Sequence, residues 1–217
     1  MTDHLPRNTY RMKTSLSTAL LLSLGLIAAP ALAQKAKPAT ATTTATAAPV
    51  AAPALVPAQS ELSFVSKQMG VPVDGKFKRF DAQLAFDPRK ADTGKVQFSI
   101  DVGSVTLGDP MLDAELAKPA WFDSKKLGQA VFTSSAIKPL GGNRFEVSGR
   151  LSLKGLQRDI SVPIALTQDK GLTTAAGSFV LKRLDFKIGD GEWSDTSMVA
   201  NEVTVKFKLV FSGVAAL

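Results

Sequence analysis

Residues 145–153 read Phe-Glu-Val-Ser-Gly-Arg-Leu-Ser-Leu, so every second position is apolar or glycine and the positions between them are polar. Successive side chains of a β-strand point to opposite faces of the sheet, and this spacing therefore predicts a strand with one dry face and one solvated face. The same alternation recurs at 62–67, 80–86, 96–102, 131–137, 160–166, 175–181 and 203–211. The chain is thus predicted to contain about eight strands.

Residues that favour turns separate these runs. They are Asp74-Gly75, Asp87-Pro88, Asp92-Thr93-Gly94, Gly141-Gly142-Asn143, Lys154-Gly155 and Asp169-Lys170-Gly171. Many short antiparallel strands joined in this way predict an all-β domain, either a sandwich or a closed barrel. Eight strands suffice to close a barrel whose interior is filled by side chains or holds one ligand. Periodicity alone favours the filled interior, because apolar side chains usually form core.

One segment is predicted to be helical. Asp109 is a good N-cap, Pro110 suits the first helical position, and Lys118-Pro119 ends the segment. A short helix here would cover one end of the sheet. Its acids are Asp109, Asp113 and Glu115, and acids in a first helical turn complement the helix dipole more often than they serve in acid–base chemistry.

The first 33 residues have the order of a secretory signal. Arg7, Arg11 and Lys13 precede an apolar run of 14 residues at 16–29, and Ala31-Leu32-Ala33 is a small-residue cleavage pattern. We expect cleavage between Ala33 and Gln34 and export to a bacterial periplasm. The run is shorter than the roughly 20 residues that span a bilayer, so a retained anchor is the weaker alternative. Both Met1 and Met12 would serve as the start.

Residues 34–58 have a different composition. Of these 25 residues, 10 are Ala, 5 are Thr and 4 are Pro, and none is aromatic. Such a segment buries too little apolar surface to offset the entropy of ordering its backbone. We predict a disordered linker at 34–58, followed by the β-domain at 59–217.

The composition also limits the chemistry. The chain has no Cys, and its single His and single Tyr, His4 and Tyr10, lie in the predicted signal. The exported part would then lack histidine triads and thiolate or histidine metal sites, so no catalytic residue, metal or cofactor is predicted. Residues 61–217 contain 21 basic and 18 acidic residues, a net charge of +3. That charge does not favour nucleic-acid binding.

Two features near the end of the predicted 175–181 strand have alternative interpretations. After Leu181 the alternation of apolar and polar positions shifts by one residue at Arg183, and such a shift predicts a β-bulge. Arg183 then either pairs at the rim with Asp185 or Glu192, or points inward as a cation for a ligand head group. The loop at 189–195 has three acids and Trp193. It is either a turn with Trp193 over the barrel mouth or a weak cation site.

A series of short motifs extends along most of the domain. It includes Gly75-Lys76-Phe77, Phe86-Asp87-Pro88, Trp121-Phe122-Asp123, Ala130-Val131-Phe132-Thr133-Ser134, residues 147–155, Val162-Pro163-Ile164, Gly177-Ser178-Phe179, residues 183–189 and Glu202-Val203. In this order the motifs resemble the YceI-like family of bacterial polyisoprenoid-binding proteins. The resemblance implies an eight-stranded antiparallel barrel similar to a lipocalin. It also implies an apolar cavity for an isoprenoid chain, such as a polyprenyl phosphate or the tail of a quinone.

On that basis we expect a periplasmic carrier that binds an isoprenoid lipid or quinone and makes transient contact with the inner membrane. The expected cavity walls are Phe64, Phe80, Leu84, Phe98, Ile100, Phe132, Phe145, Leu151, Phe179, Leu181, Phe207 and Leu209. Arg183 and Trp193 are expected at the mouth. Two alternatives stay open: an enzyme that uses Asp190, Glu192 and Asp195 on a small apolar substrate, and a tethered interaction protein with a filled barrel. The sequence leaves the oligomeric state open.

Overall fold

A computed structural model describes residues 52–217, which form one antiparallel sheet with little helix. The strands are β1 (Ala54–Leu55), β2 (Glu61–Gln68), β3 (Val71–Phe77), β4 (Phe80–Ala85), β5 (Lys95–Asp101), β6 (Val105–Thr106), β7 (Gln129–Gly141), β8 (Arg144–Leu153), β9 (Leu156–Asp169), β10 (Leu172–Lys182) and β11 (Glu202–Ser212). The helix α1 (Pro110–Leu116) lies between β6 and β7. Short 3₁₀ turns occupy Pro57–Gln59, Pro88–Thr93, Val102–Ser104, Arg183–Phe186 and Gly191–Trp193.

The sheet closes on itself into a barrel. Neighbouring strands pair in the order β1, β4, β5, β7, β8, β9, β10 and β11, and β11 pairs back with β1. β1 and β2 pair with successive parts of β11, so together they count as one interrupted strand. β3 and β4 form a second interrupted strand, and β5 and β6 form a third. Counted in this way the barrel has eight strands, as predicted.

The alternation in the sequence becomes the two faces of the barrel wall. In β8, Phe145, Val147 and Leu151 are buried, whereas Arg150 is exposed. Arg150 lies on the outer face, where it pairs with Asp159 of β9 at 2.9 Å. The interior is therefore apolar and the exterior polar, the arrangement that one dry face per strand requires.

Strand β3 contradicts one predicted turn. Asp74 and Gly75 lie inside β3, where they pair with Val65 and Phe64 of β2. The turn is instead at Met69-Gly70, and both residues have positive φ. Asp-Gly is a common turn sequence, but here the pairing with β2 decides the backbone conformation.

The structure also differs from the predictions at both ends of the domain. Pairing between β10 and β11 is regular up to Lys182, and Arg183 begins a 3₁₀ turn, so the predicted β-bulge is wrong. Ala54 and Leu55, inside the predicted linker, form β1 and pair with Ser212 and Phe211. These two residues provide the pairing that closes the barrel, although their composition resembles that of the linker.

The helix α1 begins where its sequence predicts. The side chain of Asp109 accepts hydrogen bonds from the backbone N–H of Met111 (2.7 Å) and Leu112 (3.4 Å), and Pro110 is the first helical residue. Asp113 accepts the N–H of Leu107 at 2.7 Å. This second bond ties the helix to the segment that follows β6.

Hydrophobic clusters occupy both ends of the barrel. At one end, Ala91 of the Pro88–Thr93 turn, Phe145 of β8 and Val214 near the C-terminus are buried together. At the other end, Leu116 and Phe186 belong to a second cluster, beneath α1 and residues 183–201. We call these the closed end and the α1 end.

Within residues 52–217 no helix is both long and apolar enough to cross a bilayer. The predicted signal at 1–33, its cleavage site between Ala33 and Gln34, and the linker as far as residue 51 lie outside the described residues.

Candidate functional site

The barrel is hollow between its two clusters. A cavity of about 420 Å³ extends along the interior, a size within the range of about 300–1,000 Å³ usual for small-molecule sites. Its lining is almost wholly apolar side chain. The filled interior favoured by periodicity is therefore wrong, and the alternative of a tethered interaction protein loses the filled barrel that it assumed.

Most of the predicted wall and mouth residues line this cavity. They are Phe64, Leu84, Phe98, Ile100, Phe132, Leu151, Phe179, Leu181, Arg183, Trp193, Phe207 and Leu209. Phe80 and Phe145 are not among the lining residues. Phe80 packs beside Phe98 with ring centroids 5.7 Å apart. Phe145 is buried at the closed end, where its ring packs edge-on against Phe86 with the centroids 5.4 Å apart.

Several lining residues were not predicted. Those on strands include Phe77, Val96, Val147, Val162, Val203 and Val205. The same period-two pattern could have identified most of them. Leu112 and Trp121 lie on α1 and in the following loop, and no strand periodicity points to them. Their place at the cavity depends on how that segment packs over the barrel.

Glycines on three strands explain why large aromatic side chains leave the barrel hollow. The rings lie against the wall in pairs: Phe64 over Gly75, Phe132 over Gly149 and Phe207 over Gly177. A Cβ on Gly177 would lie 2.6 Å from Cζ of Phe207, closer than atoms can pack. Each glycine thus gives a phenylalanine ring room to lie along the sheet instead of across the lumen.

The Gly75 position gives a direct test of this packing. The three atoms nearest to a Cβ there all belong to the ring of Phe64, with Cε1 and Cε2 both at 2.7 Å. We expect Gly75→Ala to lower the free energy of unfolding by about 1–3 kcal/mol, because the added methyl overpacks the wall. Urea unfolding measures this loss.

The double variant Phe64→Leu/Gly75→Ala is the matched control. Leucine lacks the ring that the new methyl meets, so the double variant should lose less stability than the two single changes added together. Strictly additive losses would show that the ring contact is not the cause.

The cavity opens at the α1 end. Among its lining residues, Gln68 at the end of β2 and Leu112 on α1 are exposed. At the opposite end Leu166, Phe211 and Val214 line the cavity and are buried. The site therefore has an apolar floor and one mouth, between the β2–β3 turn and α1.

Arg183 is buried at the mouth end, with 2% of its surface exposed. Its five N–H groups all donate to backbone carbonyls: Nε to Ala200 (3.1 Å), Nη1 to Ile188 (2.9 Å) and Gly189 (2.5 Å), and Nη2 to Trp193 (2.6 Å) and Val199 (2.7 Å). The hydrogen bonds of this one side chain therefore connect the backbone at Arg183 to five carbonyls between residues 188 and 200.

This arrangement differs from both predictions for Arg183. Within the described residues it forms no ion pair with Asp185 or Glu192. Its donors are already used, so it has none left for a ligand head group. Burial lowers the pKa of Arg183 from its ordinary value; because that value is very high, the guanidinium stays charged at neutral pH. Its charge is balanced by carbonyl dipoles alone.

The acids of the 189–195 loop do not converge on the cavity. Asp190, Glu192 and Asp195 are absent from its lining, and within residues 52–217 no group of three or more His or acidic side chains is placed to hold a metal ion. Asp195 instead accepts the N–H and hydroxyl of Ser197 at 2.8 and 2.7 Å. These hydrogen bonds lower the pKa of Asp195, the hydroxyl having the larger effect. The loop is a structural turn.

Trp193 from this loop lines the mouth and packs against Trp121, with ring centroids 5.5 Å apart. Glu115 of α1 is the carboxylate among the lining residues described, and it pairs with Lys118. Nearby, hydrogen bonds from the Thr106 hydroxyl and the Leu107 N–H lower the pKa of Asp113. One carboxylate at the mouth does not make the convergent pair that an acid–base enzyme would need.

A closed antiparallel barrel with an apolar hollow and one mouth defines a lipocalin-like barrel protein. The YceI-like domain model matches residues 54–211, and the chain belongs to this family. The match begins at Ala54, the first residue of β1. It thus includes the short strand through which the barrel closes.

Related proteins are similar over shorter stretches. A UPF0312 protein of Shewanella denitrificans is 27% identical over 106 residues, covering 48% of this chain and 56% of its own length. Protein YceI of Salmonella arizonae is 29% identical over 92 residues, covering 42% of this chain and 48% of its own. The chain spans about half the length of the curated relatives it matches.

Solved structures share the barrel. BcnA of Burkholderia cenocepacia is 48% identical with a TM-score of 0.70, and the match covers 72% of this chain and 98% of BcnA. A polyisoprenoid binding domain of Saccharophagus degradans, implicated in plant cell wall breakdown, is 18% identical with a TM-score of 0.60, covering 74% of this chain and 98% of that domain. The latter similarity establishes the fold alone.

Proposed function

We propose that this protein binds the isoprenoid tail of a lipid inside its barrel and carries it in the periplasm. The observation that carries the proposal is the cavity of about 420 Å³ lined almost wholly by apolar side chains. A hydrocarbon chain needs no catalyst or metal to be held there. It needs dry walls, a floor and a mouth, and the barrel has all three.

The energetics of burial support a slender apolar ligand. Each methylene removed from water contributes about 0.8 kcal/mol, so three isoprene units contribute on the order of 10 kcal/mol before the costs of association. The name of the Saccharophagus degradans domain, a polyisoprenoid binding domain on the same fold, favours this ligand class. Polyprenyl phosphates and isoprenoid quinones both carry such a tail.

We further propose transient contact between the mouth and the inner membrane. Large apolar side chains are exposed at the mouth end: Met69, Val71, Met111, Leu112 and Met198. Met69 and Met198 are neighbours, joined by a 2.8 Å backbone hydrogen bond, and Leu112 also lines the cavity. Because this apolar rim is continuous with the cavity, a lipid tail could pass from a bilayer to the lumen without crossing water.

The periplasmic location is proposed from the signal pattern at 1–33. An exported carrier would meet isoprenoid lipids at the outer leaflet of the inner membrane. Fractionation of cells producing the whole chain tests this part separately, with N-terminal sequencing to establish whether the mature chain begins at Gln34.

Lipid extraction tests the binding proposal. The protein is purified from the periplasm, washed without detergent and extracted with organic solvent, and the extract is analysed by mass spectrometry. We expect an isoprenoid lipid in near-stoichiometric amount. Recovery of no lipid, together with failure of the emptied protein to bind any added isoprenoid, would reject the proposal.

A further inference from the structure

The floor of the cavity includes a segment that is not part of the sheet. Strand β11 ends at Ser212, which still pairs with Ala54 of β1 and Leu172 of β10. Gly213 follows with a φ of +75°, a conformation that favours glycine, and the strand does not continue beyond it. Val214 then lines the cavity and is buried in the cluster at the closed end. A short segment outside the strands therefore contributes the bottom of the lumen.

The side-chain amide of Gln168, on β9, positions this segment. Its Nε2 donates to the Thr173 hydroxyl at 3.0 Å and makes longer contacts, both of 3.4 Å, with the carbonyl oxygens of Val214 and Ala215. Its Oε1 accepts the N–H of Leu217 at 3.3 Å. Thr173 is only 2% exposed and lines the cavity, so the amide reaches from the wall of the lumen to residues 214–217. The floor is thus held in place from the sheet.

The side chains around the floor are apolar and closely packed. Leu166 and Phe211 line the cavity beside Val214, and the three are 6%, 4% and 9% exposed. A hydrocarbon chain that reaches them has no polar group to bind and no space in which to continue, because protein interiors are close-packed. The mouth lies at the opposite end of the barrel, so the distance from mouth to floor limits how much of a chain can be buried.

We propose that Val214 is a specificity-determining residue that sets the length of isoprenoid tail the barrel accommodates. The end of the tail stops at Val214, and units beyond the limiting length stay outside the mouth in water. Each five-carbon unit that enters the lumen increases the affinity by at least about tenfold, whereas a unit left in water adds little. The inference rests on the proposed function, because it assumes that the tail occupies the lumen with its end toward the floor.

A series of prenyl alcohols that differ only in length tests this limit. The probes carry from two to eight isoprene units, and each competes with a fluorescent farnesyl analogue for the full-length mature protein after lipid extraction. For the wild type we expect the affinity to rise with each unit and then to reach a plateau. Past that point a further unit should change the affinity by less than about twofold.

Substitutions at Val214 should move the plateau in opposite directions. Val214→Trp raises the floor, so the plateau should begin at a tail at least one unit shorter, while the affinity for the shortest tail changes by no more than about twofold. Val214→Ala deepens the floor, and the first tail too long for the wild type should bind about threefold more tightly. Ala216→Trp is the matched control: Ala216 belongs to the same segment but is exposed and does not line the cavity, so the plateau should not move.

The outcomes distinguish this inference from the proposed function. If the alcohols bind but the affinity keeps rising through eight units, or if Val214→Trp weakens every tail by the same factor, the length limit is wrong and tail binding stands. If none of the alcohols binds the wild type, both are wrong. Should Val214→Trp fail to fold, the Val214→Ala series decides, and an unchanged plateau in that variant would overturn the inference.

Discussion

The Arg183→Met variant is expected to lose about 4 kcal/mol or more of its free energy of unfolding. Methionine fills much of the apolar volume of arginine but donates no hydrogen bond. Five carbonyls in the 188–200 segment would lose their donor, and Arg183 is only 2% exposed, so water does not replace it without opening the structure. Urea unfolding at neutral pH measures the loss.

Two further variants make this result specific. Arg183→Lys keeps the charge, but its single ammonium does not reach acceptors spread around a planar guanidinium, so we expect it to recover only a small part of the stability. Arg158→Met changes an arginine exposed on β9 and should unfold close to the wild type. Near-normal stability of Arg183→Met would refute a structural role for this hydrogen-bond network.

Filling the lumen should abolish ligand binding with little change in folding. Val205 on β11 lies between Phe64 and Phe179 on the neighbouring strands, and all three line the cavity. We expect Val205→Trp to weaken binding of an isoprenoid ligand by at least about 100-fold, because displacing four methylenes costs about 3 kcal/mol. The indole enters empty space, so the loss of stability should be only about 1 kcal/mol.

Val180→Trp is the matched control. Val180 lies on β10 next to Phe179 but faces outward and is 57% exposed. The same substitution there should leave the affinity for the isoprenoid ligand unchanged. Unaltered binding by a folded Val205→Trp protein would mean that the ligand does not occupy the lumen, and the carrier proposal would be wrong.

Local sequence predicts much of the wall. Alternation at 145–153 and 203–211 identifies β8 and β11, because side chains on a strand necessarily face opposite sides. Asp109-Pro110 identifies the start of α1, because capping depends on neighbours in the chain. Two exceptions, Asp74-Gly75 within β3 and Ala54-Leu55 in β1, depend on partners far away in sequence. Pairing across the barrel overrides what these residues favour locally.

The mouth was less predictable for the same reason. Arg183 was correctly singled out as unusual, but its acceptors come from residues 188–200, and their arrangement depends on a loop without periodic pattern. Trp121 was quoted only within the family motif Trp121-Phe122-Asp123, and nothing in the sequence placed it at the cavity. Trp121 reaches the cavity because the segment after α1 packs over the barrel, where its ring lies against Trp193.

The amino-acid sequence by itself determined which side of each strand is dry, where most turns lie, and which motifs mark the YceI-like family. Tertiary structure alone decided that the dry side surrounds a hollow. Periodicity records the direction of a side chain but not the distance to the wall opposite. That distance depends on how eight strands close and on whether rings such as Phe64 lie flat over a glycine of the next strand.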